Sequence, residues 1–208
     1  TEIYTLSLHD ALPIFLADPR IRKELVNSVD EVPLNMDEAY RLNVTSDSVL
    51  IEATGDEGFF RAFATLDQLT GMDAQGEFIA GCKVTDWPAF RIRGYMHDTG
   101  RSFIPVEELK REIRVLSRFK INTFHWHLTE DIAWRLSSDV IPELTSAEVI
   151  IRDKEGYYSR EEVADFVRYC NEHFVEVIPE MHMPGHSPAF PRATGYTMQS
   201  EEGKEIVR

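Results

Sequence analysis

Hydrophobic and polar positions change rhythm along the chain near residue 90, and the two rhythms predict two kinds of architecture. From 36 to 53, MDEAYRLNVTSDSVLIEA sets Tyr40, Leu42 and Val44 against Arg41, Asn43 and Thr45, then resumes with Val49, Ile51 and Ala53 after Ser46-Asp47-Ser48. Period-two alternation on both sides of a polar turn predicts a hairpin with one wet face. DEGFFRAFATLDQLTG follows, with Phe59, Phe60, Ala62, Phe63 and Leu66 on one helical stripe, acids in the first turn and Gly71 as the expected stop. Strands followed by a helix suggest a small α+β unit, with residues 78–89, FIAGCKVTDWPA, as the passage out of it.

From Phe90 the pattern alternates between element types. FRIRGYMHD predicts a strand; VEELKREIRVLSRF predicts a helix with Val106, Leu109, Ile113, Leu116 and Phe119 inward and Pro105 suited to its first turn. INTFHWHL is a second strand. After a longer connection, SREEVADFVRYCNEHF opens with Ser159 and Glu162 in capping-box spacing and turns Val163, Phe166, Val167, Cys170 and Phe174 inward. VEVIPEM is a third strand. Strand-helix-strand-helix-strand with nearly continuous apolar strands predicts an α/β class with a parallel sheet. No internal repeat or low-complexity tract interrupts it.

In a (β/α) barrel, chemistry sits at the carboxyl ends of the strands. Polar residues gather at those ends: Asp98 and Arg101 after the first strand, His125, His127, Glu130 and Asp131 after the second, Glu180, His182 and His186 after the third. Imidazole and carboxylate are good ligands for divalent metals and equally good hydrogen-bond partners for hydroxyls, so residue types alone allow a metal or a sugar. The metal reading pairs His125 with His127, which share a strand face, and adds His182 and His186, as in a metal-dependent barrel hydrolase. Such hydrolases open on their H-x-H strand, whereas here a full strand-helix unit precedes it.

Composition narrows the partners. With 208 residues, 43% hydrophobic content and a net charge of −14, the chain reads as globular and as a poor match for nucleic acid or anionic membrane, since both recruit Lys and Arg. No apolar run approaches the roughly 20 residues of a transmembrane helix. Cys82 and Cys170 form neither a C-x-x-C nor a disulfide-dense pattern. TEIYTLSLHDALPI, residues 1–14, reads codon for codon like a common sequencing-library adapter, so it is expected to be an artefact and is set aside from fold reasoning. The natural start of the frame, and any signal peptide, would then lie outside the sequence.

RGYMHDTGRSFIPVEELKREIRVLSRFKINTFHWHLTED together with GYYSREEVADFVRYCNEHFVEVIPEMHMPGHS resembles glycoside hydrolase family 20, the β-N-acetylhexosaminidases. The D-x-x-R, H-x-H-L-x-x-D and P-G-H elements, in this order and spacing, carry the resemblance. It implies three segments: 1–14 as adapter, 15–85 as part of a small α+β domain, and 86–208 as the N-terminal part of a (β/α)8 TIM barrel with strands 1–3 only. It also implies hydrolysis of terminal β-linked N-acetylglucosamine or N-acetylgalactosamine from glycans, without metal or organic cofactor.

In that family the 2-acetamido oxygen of the sugar attacks C1, replacing an enzyme nucleophile. The resemblance places Arg101 on hydroxyls of the terminal sugar, where its fixed fork of N–H donors suits two neighbouring oxygens. Asp98 would hold that guanidinium. Glu130 stands where the family carries the first Asp of D-D, and His186 matches the histidine of M-P-G-H; the pair would act as a relay to the general acid, with His127, Asp131 and Glu180 in support. Two departures stand out: Glu130 is a methylene longer than Asp, so the relay must shift or use Asp131, and His182 replaces the Asp of D-M-P-G-H. The Asp-Glu pair that orients the acetamido group and protonates the leaving oxygen belongs to a fourth strand, beyond residue 208, so the chain alone is expected to be inactive. GYTMQSEEGKEIVR reads as loop, and Trp126 and Trp134 as packing or rim residues. A non-catalytic carbohydrate-binding relative, keeping Arg101 but lacking the acid, is the other reading. Family members commonly meet glycans outside the cytoplasm, which makes a periplasmic or extracellular compartment the expectation.

Overall fold

A computed structural model describes residues 19–73 and 76–208; the adapter-like segment lies outside the described residues. The chain divides into two compact units. One is built from the chain up to Arg93 with Arg114–Asn122 and Glu172–Val175, the other from Gly94–Ile113, Thr123–Asn171 and Glu176–Arg208.

In the first unit the predicted hairpin is β2 (Tyr40–Val44) and β3 (Val49–Ala53), paired antiparallel with Tyr40 opposite Ala53. The tip closes through Thr45, whose hydroxyl accepts the Ser48 amide at 3.1 Å, a side-chain turn that spares the backbone a glycine. β1 (Ile21–Leu25) adds in parallel beside β3, and β6 (Cys82–Asp86) adds antiparallel beside β2, giving the order β1-β3-β2-β6. The segment read as a passage therefore contains a sheet strand, whose CKVTD alternation is too weakly apolar to announce itself.

Helix α1 (Asp56–Leu69) lays Phe59, Phe60, Ala62, Phe63 and Leu66 on Tyr40, Leu42, Ile51 and Ala53, the expected stripe on the expected face. Gly58 is required there, because a Cβ would stand 2.6 Å from the Ala39 carbonyl oxygen. Gly71 does not cap the helix. It sits in β4 (Thr70–Asp73) opposite Phe78 of β5 (Gly76–Ile79), where any Cβ would meet the Phe78 ring at 2.7 Å. Arg61, on the buried face, donates from Nε to Glu38 Oε2 at 2.9 Å, and Arg93 donates from Nη1 to Glu38 Oε1 at 3.0 Å, so one buried carboxylate answers two guanidiniums.

The second unit holds the parallel sheet β7 (Gly94–Asp98), β8 (Thr123–His127) and β11 (Glu176–Glu180), with β8 central. The first strand is shorter than FRIRGYMHD suggests: Phe90 and Ile92 are exposed and pairing begins at Gly94. Helix α2 (Val106–Arg118) buries Val106, Leu109 and Ile113, but ends before Phe119, which is exposed. Helix α3 (Arg160–Glu172) begins with the capping box in place, Ser159 N–H donating to Glu162 Oε2 at 2.8 Å and Glu162 N–H to Ser159 Oγ at 3.2 Å. Side chains alternate across a strand, so Phe124 and Trp126 share one face. They meet Phe166 of α3 at ring separations of 5.5 and 4.8 Å. The opposite face carries Met96, His125 and Ile178 side by side in register and is open to solvent. Among the described residues this sheet has three strands with both edges unpaired, and no barrel closes.

Beyond β8 a small antiparallel hairpin, β9 (Thr129–Glu130) and β10 (Ala133–Trp134), turns at Asp131. Trp134, Leu144, Val149, Ala189 and Phe190 form a separate apolar cluster beneath it. Helix α4 (Ala189–Thr194) is followed by residues 195–208, read as loop, which contain helix α5 (Glu201–Val207); Ser200 caps α5 by accepting the Gly203 amide. No helix among the described residues is long and apolar enough to cross a membrane.

Candidate functional site

Parallel register does the first part of the assembly. Asp98, His127 and Glu180 are the last residues of three adjacent strands and stand directly beside one another. The loop at the end of each strand then folds over that row. The Thr99-Gly100 turn is drawn back by amides donating to the His127 carbonyl at 3.1 Å, which brings Arg101 round to face β8.

Arg101 joins the two halves of the site. Its amide donates to Asp98 Oδ1 at 3.0 Å, its Nη1 pairs with Asp98 Oδ2, and its Nη2 pairs with Glu130 Oε1. Glu130 is 4% exposed, and both its oxygens are engaged: Oε1 also lies 2.8 Å from His186 Nδ1 as an ion-pair neighbour, while Oε2 accepts the Asp131 amide at 2.6 Å. Asp131 lies 3.4 Å from His186, so the longer Glu130 makes the closer contact and no substitution by Asp131 is needed. With the Glu130 carboxylate beside Nδ1, it is Nε2 of His186 that lies on the ring edge away from it. His186 holds this pose at φ 46, in the left-handed region that a non-glycine residue occupies at a cost of about 1–3 kcal/mol.

Around Glu180 a second group forms. Its Oε1 pairs with His182 Nε2 and its Oε2 lies 2.5 Å from His125 Nε2. His182 is anchored through its own amide, which donates to the buried Thr129 hydroxyl at 2.8 Å. His127 Nδ1 lies 2.9 Å from Asp98 Oδ1 as an ion-pair neighbour, out of hydrogen-bond alignment, and its Nε2 is buried with no hydrogen-bond partner among the described residues.

The structure thus brings Arg101, Asp98, Glu130, Asp131 and His186 into one cluster and His127, Glu180, His182 and His125 into another. It does not assemble the H-x-H chelate: donor atoms of His127, Glu180 and His182 lie within 4.8 Å of one another, as do those of Glu130, Asp131 and His186, and His125 belongs to neither set. Trp126 and Trp134 are 1% and 7% exposed, which makes them packing residues.

Three supporting residues carry no signal in the sequence. Thr99 accepts the Trp126 Nε1–H at 3.0 Å, Thr129 holds His182, and Arg135, fully buried, donates to the carbonyls of Thr99, Arg152, Asp153 and Gly156. Arg135 therefore ties the turn that carries Arg101 to the loop at 152–156. An arginine after Trp134 gives no indication of burial.

Burial raises the affinity of Asp98, Glu130 and Glu180 for protons, yet each ends below its ordinary carboxyl value. The Arg101 amide and guanidinium outweigh burial at Asp98, the Asp131 amide with Arg101 and His186 at Glu130, and His182 with its neighbouring imidazoles at Glu180. The folded state then binds fewer protons than the unfolded chain in the acid range. Stability from these groups is complete above the unfolded values, 3.8 for Asp and 4.5 for Glu, and is lost as pH falls through the lower folded values. Urea midpoints should be flat above about pH 5 and fall below it, with a shallower fall when all three acids are replaced by their amides. Equal slopes for both proteins would refute the assignment.

Fold and site together define an α/β protein whose candidate chemistry stands at the carboxyl ends of parallel strands. Its sequence matches the profile of "Glycosyl hydrolase family 20, catalytic domain" over residues 90–206 and of "Glycosyl hydrolase family 20, domain 2" over residues 8–87. The chain belongs to glycosyl hydrolase family 20. It is 36% identical over 184 residues to a beta-hexosaminidase of Vibrio furnissii, covering 82% of this chain and 30% of the relative. A beta-hexosaminidase of Porphyromonas gingivalis is 37% identical, over 74% of this chain and 21% of its own length. Among solved structures, a GH20 exo-β-N-acetylglucosaminidase from Vibrio harveyi in complex with N-acetylglucosamine superposes with a TM-score of 0.79 at 32% identity, over 93% of this chain and 32% of that one. The chain thus spans about a third or less of the length of these relatives.

Proposed function

We propose that this chain is the sugar-holding part of a β-N-acetylhexosaminidase that releases terminal β-linked N-acetylglucosamine or N-acetylgalactosamine from glycans. Family membership and relatives named beta-hexosaminidases support the reaction class. The observation that carries the site is Glu130 Oε1, which pairs with the Arg101 guanidinium and stands 2.8 Å from the His186 imidazole.

Two of the five guanidinium N–H donors of Arg101 face carboxylates, and its side chain is 55% exposed, so three donors are left for sugar hydroxyls. Asp98 and Glu130 fix the plane of that fork. In the reaction, the acetamido carbonyl oxygen bonds to C1 as the C1–O bond to the aglycone breaks and the leaving oxygen takes a proton from a carboxylic acid. Water then opens the cyclised sugar with overall retention. The acid and the acetamido-holding Asp are assigned to a fourth strand following this chain, and His186 would meet that acid through Nε2. β7, β8 and β11 are read as the first three strands of a (β/α)8 barrel, whose remaining strands would cover Met96, His125 and Ile178. No metal or organic cofactor takes part in these steps.

Substrate assistance makes the acetamido group indispensable. The intact protein should hydrolyse p-nitrophenyl N-acetyl-β-glucosaminide at least about 100-fold faster than p-nitrophenyl β-glucoside, since the second lacks the internal nucleophile. Comparable rates on both would reject the assignment.

A further inference from the structure

We propose that His127, Glu180 and His182 form a binding site for a Zn2+-class transition-metal ion beside the proposed sugar site. One donor atom from each lies within 4.8 Å of the others. Two imidazole nitrogens and one carboxylate oxygen are a common three-ligand zinc set, with a fourth position for water or a hydroxyl. Sheet register sets His127 beside Glu180, and the Thr129 hydroxyl that accepts the His182 amide places the third member two residues beyond the strand end.

The independent sign of a ligand is His127. It is 4% exposed, and its Nε2 is buried without a hydrogen-bond partner among the described residues. Burying a polar atom unsatisfied costs about 1–3 kcal/mol, which a bound cation would relieve. Across the ring, Nδ1 stands 2.9 Å from Asp98 Oδ1. Neither ring nitrogen of His127 has a hydrogen-bond partner among the described residues, and with the Asp98 carboxylate beside Nδ1 it is Nε2 that is left open to a metal. The His127 and His182 rings meet edge to face with centroids 5.0 Å apart.

The remaining contacts complete the surround. His125 Nε2, 2.5 Å from Glu180 Oε2, steadies the oxygen that the metal does not take. The Thr129 hydroxyl holds the His182 amide. Tetrahedral zinc with Zn–N near 2.0–2.1 Å sets its ligands about 3.3 Å apart, so His182 and Glu180, now in contact, must part slightly while His127 draws in. The other three-donor group, Glu130, Asp131 and His186, is a weaker candidate because the Arg101 guanidinium already neutralises Glu130 and no bare buried nitrogen points into it.

His182 takes the position where the family pattern carries Asp, so the site is a property of this chain. Metal capture would draw Glu180, His127 and, through it, Asp98 away from Arg101, and would therefore inhibit hydrolysis reversibly. That consequence rests on the proposed function; the binding does not.

Co2+ reports geometry and occupancy together. Titrating the metal-free intact protein with Co2+ should give one ion per chain with the visible absorption of a tetrahedral centre, displaced by one equivalent of Zn2+. His182→Ala and Glu180→Gln should each weaken binding by at least about 100-fold with the far-ultraviolet circular dichroism of the parent. His97→Gln, away from the cluster, should bind as the parent does. Absence of a tetrahedral spectrum in the parent, or undiminished binding in both folded ligand variants, overturns the site. Zn2+ that binds as described yet leaves hydrolysis unchanged overturns the inhibition alone.

Discussion

Glu130→Gln in the intact hydrolase should lower kcat by about 100- to 1,000-fold while changing KM by less than about tenfold. The glutamine keeps the size of the side chain but replaces with an amide the anion that pairs with Arg101 Nη2 and stands 2.8 Å from His186 Nδ1. Without the carboxylate the charge that faces Nδ1 is lost, and with it the orientation that the proposed relay gives Nε2. A displaced pH profile must accompany the loss, because a purely structural defect would scale the curve without moving it. Arg101→Lys should behave differently. A single ammonium cannot present the planar fork, so kcat/KM should drop about 100-fold with a large rise in KM. If Glu130→Gln raised KM alone and left the pH profile in place, Glu130 would be a binding residue and the relay would be wrong.

Trp126→Ala should destabilise the protein by about 3–5 kcal/mol, a large part of the 5–15 kcal/mol that holds a typical domain. Trp126 is 1% exposed, lies 4.6 and 4.8 Å from the Tyr158 and Phe166 rings, and donates to Thr99 Oγ1. Its loss opens a cavity under the turn that presents Arg101. The contrast lies in the phenylalanine variants. Trp126→Phe also strips Thr99 of its donor and should cost about 1–3 kcal/mol. Trp134→Phe should cost about 1 kcal/mol or less, because the Trp134 Nε1 is buried with no hydrogen-bond partner to lose among the described residues. Urea midpoints at unchanged slope measure all three. Equal costs for the two phenylalanine variants would refute the role given to the Thr99 contact.

Local patterns were the readable part of this chain. The hairpin, α1 with its aromatic stripe, the Ser159-Glu162 box and the parallel order of β7, β8 and β11 all come from spacing, because each depends on neighbours in sequence. Element ends were less readable. Phe90–Arg93 continue an apolar pattern that pairing does not, and Phe119 continues a helical stripe that the chain leaves behind at Lys120, whose φ of 62 ends it.

At the site, the strand-end residues were legible one by one but not as groups. Proximity along the chain suggests that His125 and His127 act together, yet register places His127 between Asp98 and Glu180 and gives His125 to Glu180 alone. Register is set by pairing between distant strands and cannot be counted off within one of them. Glu130 reaching His186, which a shorter Asp would do differently, likewise depends on the β9–β10 hairpin, four residues that carry little pattern.

A crystal structure of the intact protein with N-acetylglucosamine tests the central claim most directly. The account predicts guanidinium nitrogens of Arg101 within about 3 Å of two adjacent ring hydroxyls, with Glu130 still bridging Arg101 and His186. A sugar seated away from Arg101, or a complex in which Arg101 and His186 face apart, would contradict it.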